Sequence, residues 1–115
     1  MPARPVSAIR FSAVYPMYLQ KAGRKGRTRA EVDAVIRWLT GYDPAGLEAQ
    51  VDRQSDLATF FGEAPALNPA HMAMTGTVCG VRLETVEDPL MRQVRCMDKL
   101  VDELARGRPL EKILR

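Results

Sequence analysis

The chain has one histidine, His71, and two cysteines, Cys79 and Cys96. With no second histidine and no cluster of cysteines, a Cys/His zinc site cannot be assembled within one chain. Two cysteines make no disulfide framework and read as buried, reduced thiols of a cytoplasmic protein. A histidine-assisted cysteine or serine nucleophile would need His71 beside its partner, and nothing in the spacing demands that. His71 therefore reads as a surface or half-buried residue at a helix start. No apolar run approaches the roughly 18 residues of a membrane helix, and the N-terminus lacks the apolar stretch of a secretory signal. The glycines at 23–26 and 76–80 lack the strand–loop–helix setting and lysine pattern of a phosphate loop. No cofactor and no metal are expected. An enzyme has no motif to stand on, and only a site assembled from scattered residues would supply one.

Acidic residues are missing from the first thirty positions, which hold seven basic groups: Arg4, Arg10, Lys21, Arg24, Lys25, Arg27 and Arg29. The remaining ten of the 17 basic groups and all 14 acidic ones follow, so residues 31–115 carry a net −4 against +3 for the whole chain. Any electrostatic function therefore starts in the N-terminal quarter. Lys21, Arg24, Lys25, Arg27 and Arg29 put five cations in nine residues beside a helix start, whose free N–H groups suit an anion. These five are the candidate anion-binding residues. They read either as a weak phosphate or nucleic-acid contact or as a solvated loop.

The most legible helix runs from Thr28 to Tyr42. Thr28 and Glu31 form a capping box. Val32, Val35, Ile36 and Leu39 make one apolar face, with Trp38 at its edge. Gly41 supplies the left-handed stop. Asp43-Pro44, Asn68-Pro69 and Asp88-Pro89 are three further helix starts. The first carries Leu47 and Val51 inward. The third opens the longest helix, with Leu90, Val94, Met97, Val101 and Leu104 on one stripe and Gly107 at its end. That stripe fits either a globular core or, as a homodimer seam, about two heptads of coiled coil. Asp98, Asp102 and Glu103 read as its solvated outer face, paired with Arg95, Lys99 and Arg106. Thr28 through Asp52 can be drawn as a helix-turn-helix, but its second helix carries Glu48 and no arginine, which argues against base reading.

Elsewhere the pattern is softer. Residues 1–8 read as a frayed end. Ile9 to Phe11 suggests a short extended anchor. A helix with Val14, Met17 and Tyr18 inward should begin near Ser12 to Tyr15, because Pro16 fits only a first turn, and should end before Gly23. Ser55 should cap a piece carrying Leu57, Phe60 and Phe61, closed by Pro65. Residues 77–86 show alternation at 79, 81 and 83, yet a lone strand pair is marginal, so helix or irregular structure is favoured there. Pro109 starts a last turn that folds Leu110, Ile113 and Leu114 back. A chain of 115 residues buries roughly two-thirds of its surface without a staple. The expectation is a single domain over 9–115: an all-α, compact orthogonal bundle of about six short helices with at most a minor β pairing. The leading functional expectation is a non-enzymatic binding or interaction module.

A resemblance covers nearly the whole chain from Ile9 onward. Val14-Tyr15-Pro16, Lys25-Gly26-Arg27-Thr28, Ile36-Arg37-Trp38-Leu39-Thr40-Gly41-Tyr42, Glu63-Ala64-Pro65, Leu67-Asn68-Pro69, Cys79-Gly80-Val81 and Glu87-Asp88-Pro89-Leu90-Met91 carry it. So do Leu100 to Ala105 and Glu111 to Leu114. With these the sequence resembles the small bacterial proteins grouped as domain of unknown function 2200. The resemblance implies a stand-alone bacterial cytosolic protein and transfers no activity, cofactor or catalytic residue.

Overall fold

The long helix lies at the centre because its stripe meets three layers at once. In the computed structural model, which describes residues 6–78 and 80–114, the helices are α1 (Phe11–Gly23), α2 (Arg29–Thr40), α3 (Pro44–Asp52), α4 (Leu57–Gly62), α5 (Pro89–Ala105) and α6 (Leu110–Ile113). Val94, Met97, Leu100, Val101 and Leu104 of α5 are buried, and α1, α2, α4 and α6 all pack against that helix. Pairing with a second copy through the same stripe would compete with this core. The Cα radius of gyration is 13.3 Å, close to the ~13 Å of a compact chain of this length.

Local chemistry sets the ends of α2. Thr28 Oγ1 accepts the Glu31 N–H at 3.2 Å, and Glu31 Oε1 accepts the Thr28 N–H at 3.0 Å. Gly41 has φ 82°, and a Cβ there would lie 2.7 Å from the Ala66 nitrogen. That approach matters because Ala66 and Asn68 donate to the Thr40 and Leu39 carbonyls, satisfying the helix end. Asp43, Asn68 and Asp88 cap as their Asx-Pro pairs suggest, accepting from Gly46, Ala70 and Met91. The Asn68 element is a 3-10 helix, Pro69–Ala73.

Several expectations change. Val6–Ala8 forms a 3-10 turn where a frayed end is expected; residues 1–5 lie outside the described residues. The helix α1 starts at Phe11, so Pro16 falls in its second turn. The cost of a mid-helix proline is about 3 kcal/mol. It is offset by a continuous buried stripe of Phe11, Tyr15, Tyr18 and Ala22. Phe11 stacks on Phe60 with ring centroids 4.0 Å apart. The helix also runs through Gly23 rather than ending before it. Asp56, not Ser55, caps α4 by accepting from Thr59. The neighbouring chain decides this: Ser55 O accepts the Phe11 N–H and Ile9 O accepts the Leu57 N–H, both at 2.8 Å. Ile9 to Phe11 is thus an anchor, bridging Asp56 rather than a strand.

Residues 77–86 are not simply helical or irregular. Thr77–Val78 (β1) and Val81–Arg82 (β2) form an antiparallel pair with Thr77 opposite Arg82, followed by a 3-10 turn, Leu83–Thr85. So small a pair needs outside support. Arg92 of α5 gives it, donating to the Leu83 carbonyl at 2.5 Å and to Met72 and Met74 carbonyls at 2.8 and 3.1 Å. Lys99 donates to the Thr77 carbonyl at 3.0 Å.

Candidate functional site

Val14, Met17, Lys21 and Arg24 recur at i, i+3, i+7 and i+10, one stripe along α1 and its C-cap. This stripe stands beside α5 and leaves a groove between the two helices. The groove has a volume of ≈ 330 Å³, with Ile9, Val14, Met17, Leu57 and Val94 as its apolar lining and Lys21, Arg95 and Asp98 at its polar edge. Met17, expected to face the core, is 66% exposed here. It has no core to enter, because Phe11, Tyr15, Tyr18 and Ala22 already fill the buried side of α1.

The polar edge is a chain of partners between α1 and α5. The Tyr18 hydroxyl donates to Asp98, and Arg95 lies 3.6 Å from the same carboxylate. Burial pushes the Asp98 carboxyl up, while the Tyr18 hydrogen bond and the Arg95 and Lys21 charges pull it down. Lys21 Nζ lies 3.2 Å from Asp102 Oδ1, and Arg106 Nε 2.9 Å from Asp102 Oδ2. Asp98 and Asp102 are thus not the free outer face of α5, since α1 covers them. Glu103 is buried at 5% exposure and accepts from Arg108 at 2.9 Å.

The five candidate cations divide. Arg27 pairs with Glu31 at 2.7 Å. Arg29 lies 3.7 Å from Asp33, donates to the Tyr15 hydroxyl at 3.0 Å and sits over the Tyr15 ring. Lys21 shares Asp102 yet keeps 44% of its side chain exposed. Arg24 and Lys25 are exposed, and no ion pair among the described residues engages them. The N-terminus of α2, suited to an anion, already receives the Glu31 carboxylate. That contact holds the Glu31 carboxyl below its ordinary range.

His71 is buried rather than at the surface, at 7% exposure. Its Nδ1 contacts the Asn68 carbonyl at 2.6 Å. The Cys96 thiol contacts the His71 backbone oxygen, not the ring. Burial pushes the Cys96 thiol up, which holds it protonated and unreactive. Cys79 lies outside the described residues. Among the described residues, no three His, Cys, Asp or Glu side chains are grouped to hold a metal ion, and no helix is long and apolar enough to cross a membrane.

A profile of the bacterial family of uncharacterized conserved proteins DUF2200 matches residues 5–115. The crystal structure of the uncharacterized protein SP1917 is 40% identical, covers 98% of this chain and 93% of its own, and superposes with a TM-score of 0.89. No curated protein matches the chain.

Proposed function

Because the chain belongs to the DUF2200 family of uncharacterized bacterial proteins, its function has to be argued from its surface, and we propose that it is a non-enzymatic interaction module. Its docking surface is the α1–α5 groove, and its occupant is an apolar segment of another protein that continues into acidic residues. The observation that carries this reading is Met17, 66% exposed among Ile9, Val14, Leu57 and Val94. Flexible, polarizable methionine suits a surface that must repack around a partner. Charge gives the occupant its second half. Beyond Met17 the same stripe continues to Lys21 and Arg24, with Lys25 beside them. Lys21, Arg95 and Arg106 exceed Asp98 and Asp102 by one charge, and Arg24 and Lys25 add two. An acidic partner segment laid along α1 would meet this end, gaining encounter rate and register more than raw affinity.

The test is selection of displayed twelve-residue random peptides on the folded chain, followed by methyl NMR with the enriched peptides. Enriched sequences should place apolar residues ahead of Asp or Glu and shift the Val14, Met17 and Val94 methyl signals. Met17→Asp should abolish binding, and the triple change Lys21→Ala, Arg24→Ala, Lys25→Ala should slow association. Peptides without acids, or shifts confined to other faces, would refute the reading. Preference for a labelled nucleic-acid duplex over every peptide would favour the phosphate-contact reading of Lys21, Arg24, Lys25, Arg27 and Arg29.

A further inference from the structure

A second cleft, on the other side of α1, has a different chemistry. It lies between α2 and α3, has a volume of ≈ 370 Å³ and is walled by Arg29, Asp33 and Arg37 on one side and Glu48 and Asp52 on the other, over Leu47 and Val51; Asp33 is already engaged by the Tyr15 hydroxyl and by Arg29. Both arginines are anchored by the same atom. Arg29 Nε donates to the Tyr15 hydroxyl and Arg37 Nε to the Tyr42 carbonyl, each at 3.0 Å. Among the described residues no hydrogen bond engages the terminal nitrogens of either guanidinium, so two planar forks are held at Nε and keep donors to spare. Across the cleft, Glu48 and Asp52 stand one turn apart on α3, exposed and with no side-chain hydrogen bond or ion pair among the described residues. Arg29 feels the Glu48 charge, yet no ion pair among the described residues closes the gap. Opposite charges that face each other over an apolar floor without meeting leave room for a ligand that carries both.

We infer that this cleft binds a small zwitterion of the amino-acid type, its carboxylate on the Arg29 and Arg37 forks, its ammonium on Glu48 and Asp52, and its apolar body on Leu47 and Val51. A volume of ≈ 370 Å³ falls in the range of small-molecule sites, about 300–1,000 Å³, and accommodates an amino acid or a dipeptide. A simple anion would meet the acidic wall and a simple cation the arginines; only a ligand with both charges satisfies both sides. This inference is independent of the α1–α5 groove and stands or falls separately.

The experiment is NMR titration of the full chain with leucine and leucyl-leucine, against N-acetyl-leucine and leucine amide, at neutral pH and low salt. The zwitterions should shift the Leu47 and Val51 methyl signals saturably. Blocking either terminus should weaken binding about tenfold or more, since a charge-assisted hydrogen bond is lost. In the Glu48→Gln, Asp52→Asn double variant, leucine should lose its advantage over N-acetyl-leucine. These acids are exposed and unpaired, so unfolding curves of the variant should match wild type. Absence of saturable shifts with both zwitterions, equal binding of the blocked forms, or shifts away from this cleft would overturn the inference.

Discussion

Removing one hydroxyl, by Tyr42→Phe, tests how the aromatic centre is tied to the helix ends. Tyr42 is 5% exposed, its ring lies 5.1 Å from that of Phe60, and its hydroxyl donates to the Phe60 carbonyl at 2.6 Å. That carbonyl lies near the C-terminal end of α4, where helix carbonyls run out of partners. Phenylalanine keeps the ring contacts and strands the carbonyl in a dry place. Such a buried, unsatisfied acceptor costs about 2 kcal/mol, or roughly 5 °C in Tm for a chain of this size. The pH dependence adds a second check. Burial raises the Tyr42 pKa from its ordinary value of 10.0 to about 12. The unfolded chain therefore ionises this phenol first, and the stability it contributes is full below pH 10 and falls as pH rises toward 12. Phenylalanine has nothing to ionise, so the gap between variant and wild type should narrow from pH 7 to pH 11. Urea unfolding followed by circular dichroism at the two pH values measures both effects. Equal stability at pH 7, or a gap that does not narrow, would refute this account of Tyr42.

Thr28→Ala should cost about 1 kcal/mol in the same assay through loss of the α2 cap; no loss would mean that another group caps the helix. Met97→Ala and Leu104→Ala, both at 0% exposure, should each cost about 2–5 kcal/mol, and sedimentation should show whether either changes the mass of the particle. For Asp98 the sign runs opposite to a paired surface acid. Its raised pKa means that wild type loses stability as pH rises through it, so Asp98→Asn should improve relative to wild type from pH 4 to pH 7. In duplex binding, the internal pairing of Lys21, Arg27 and Arg29 leaves Arg24 and Lys25 for phosphates. Log affinity should then fall against log salt with a slope of about −2; a slope near −5 in fluorescence anisotropy would show that Lys21, Arg27 and Arg29 leave their partners.

What was legible in the sequence follows from where the deciding interactions lie. The α2 helix is complete within its own residues: cap, box, stripe and left-handed stop all fall between Thr28 and Gly41. The α5 helix is nearly so, with Asp88 and Pro89 at one end and about four turns of apolar spacing behind them. The α4 cap is different. Ser55 and Asp56 are both good caps, and only the pairing of Ile9 and Phe11 with residues 55 and 57 selects Asp56. Pro16 misleads for the same reason, because the stripe that carries α1 past it is paid for by Phe60, far away in sequence. The hairpin at β1 and β2 depends on Arg92 and Lys99, reaching in from α5.

The candidate surfaces show the same division more sharply. Counting charge along residues 21–29 finds five cations but not their fates. Two of those fates were within reach, since Arg27–Glu31 and Arg29–Asp33 are both i,i+4 pairs on or beside one helix. The third was not, because Lys21 meets Asp102, 81 residues away. Removing the paired groups does not empty the feature; it moves it. What remains without an ion pair among the described residues is Arg24, at the exposed end of the stripe that starts at Val14 and Met17, and Lys25 beside it. Periodicity alone assigns Met17 to the core with Val14, which does pack against it, because an apolar residue at helical spacing looks the same whether another helix covers it or not. The helix has two apolar faces, and its partners fill only one. Of the five cations that read as a phosphate contact in one dimension, the fold sets Lys21 at the polar edge of the α1–α5 groove, beside Arg95 and Asp98. Under the proposed function, the acidic half of a partner is the complement to that edge, and the peptide selection is the measurement that decides it.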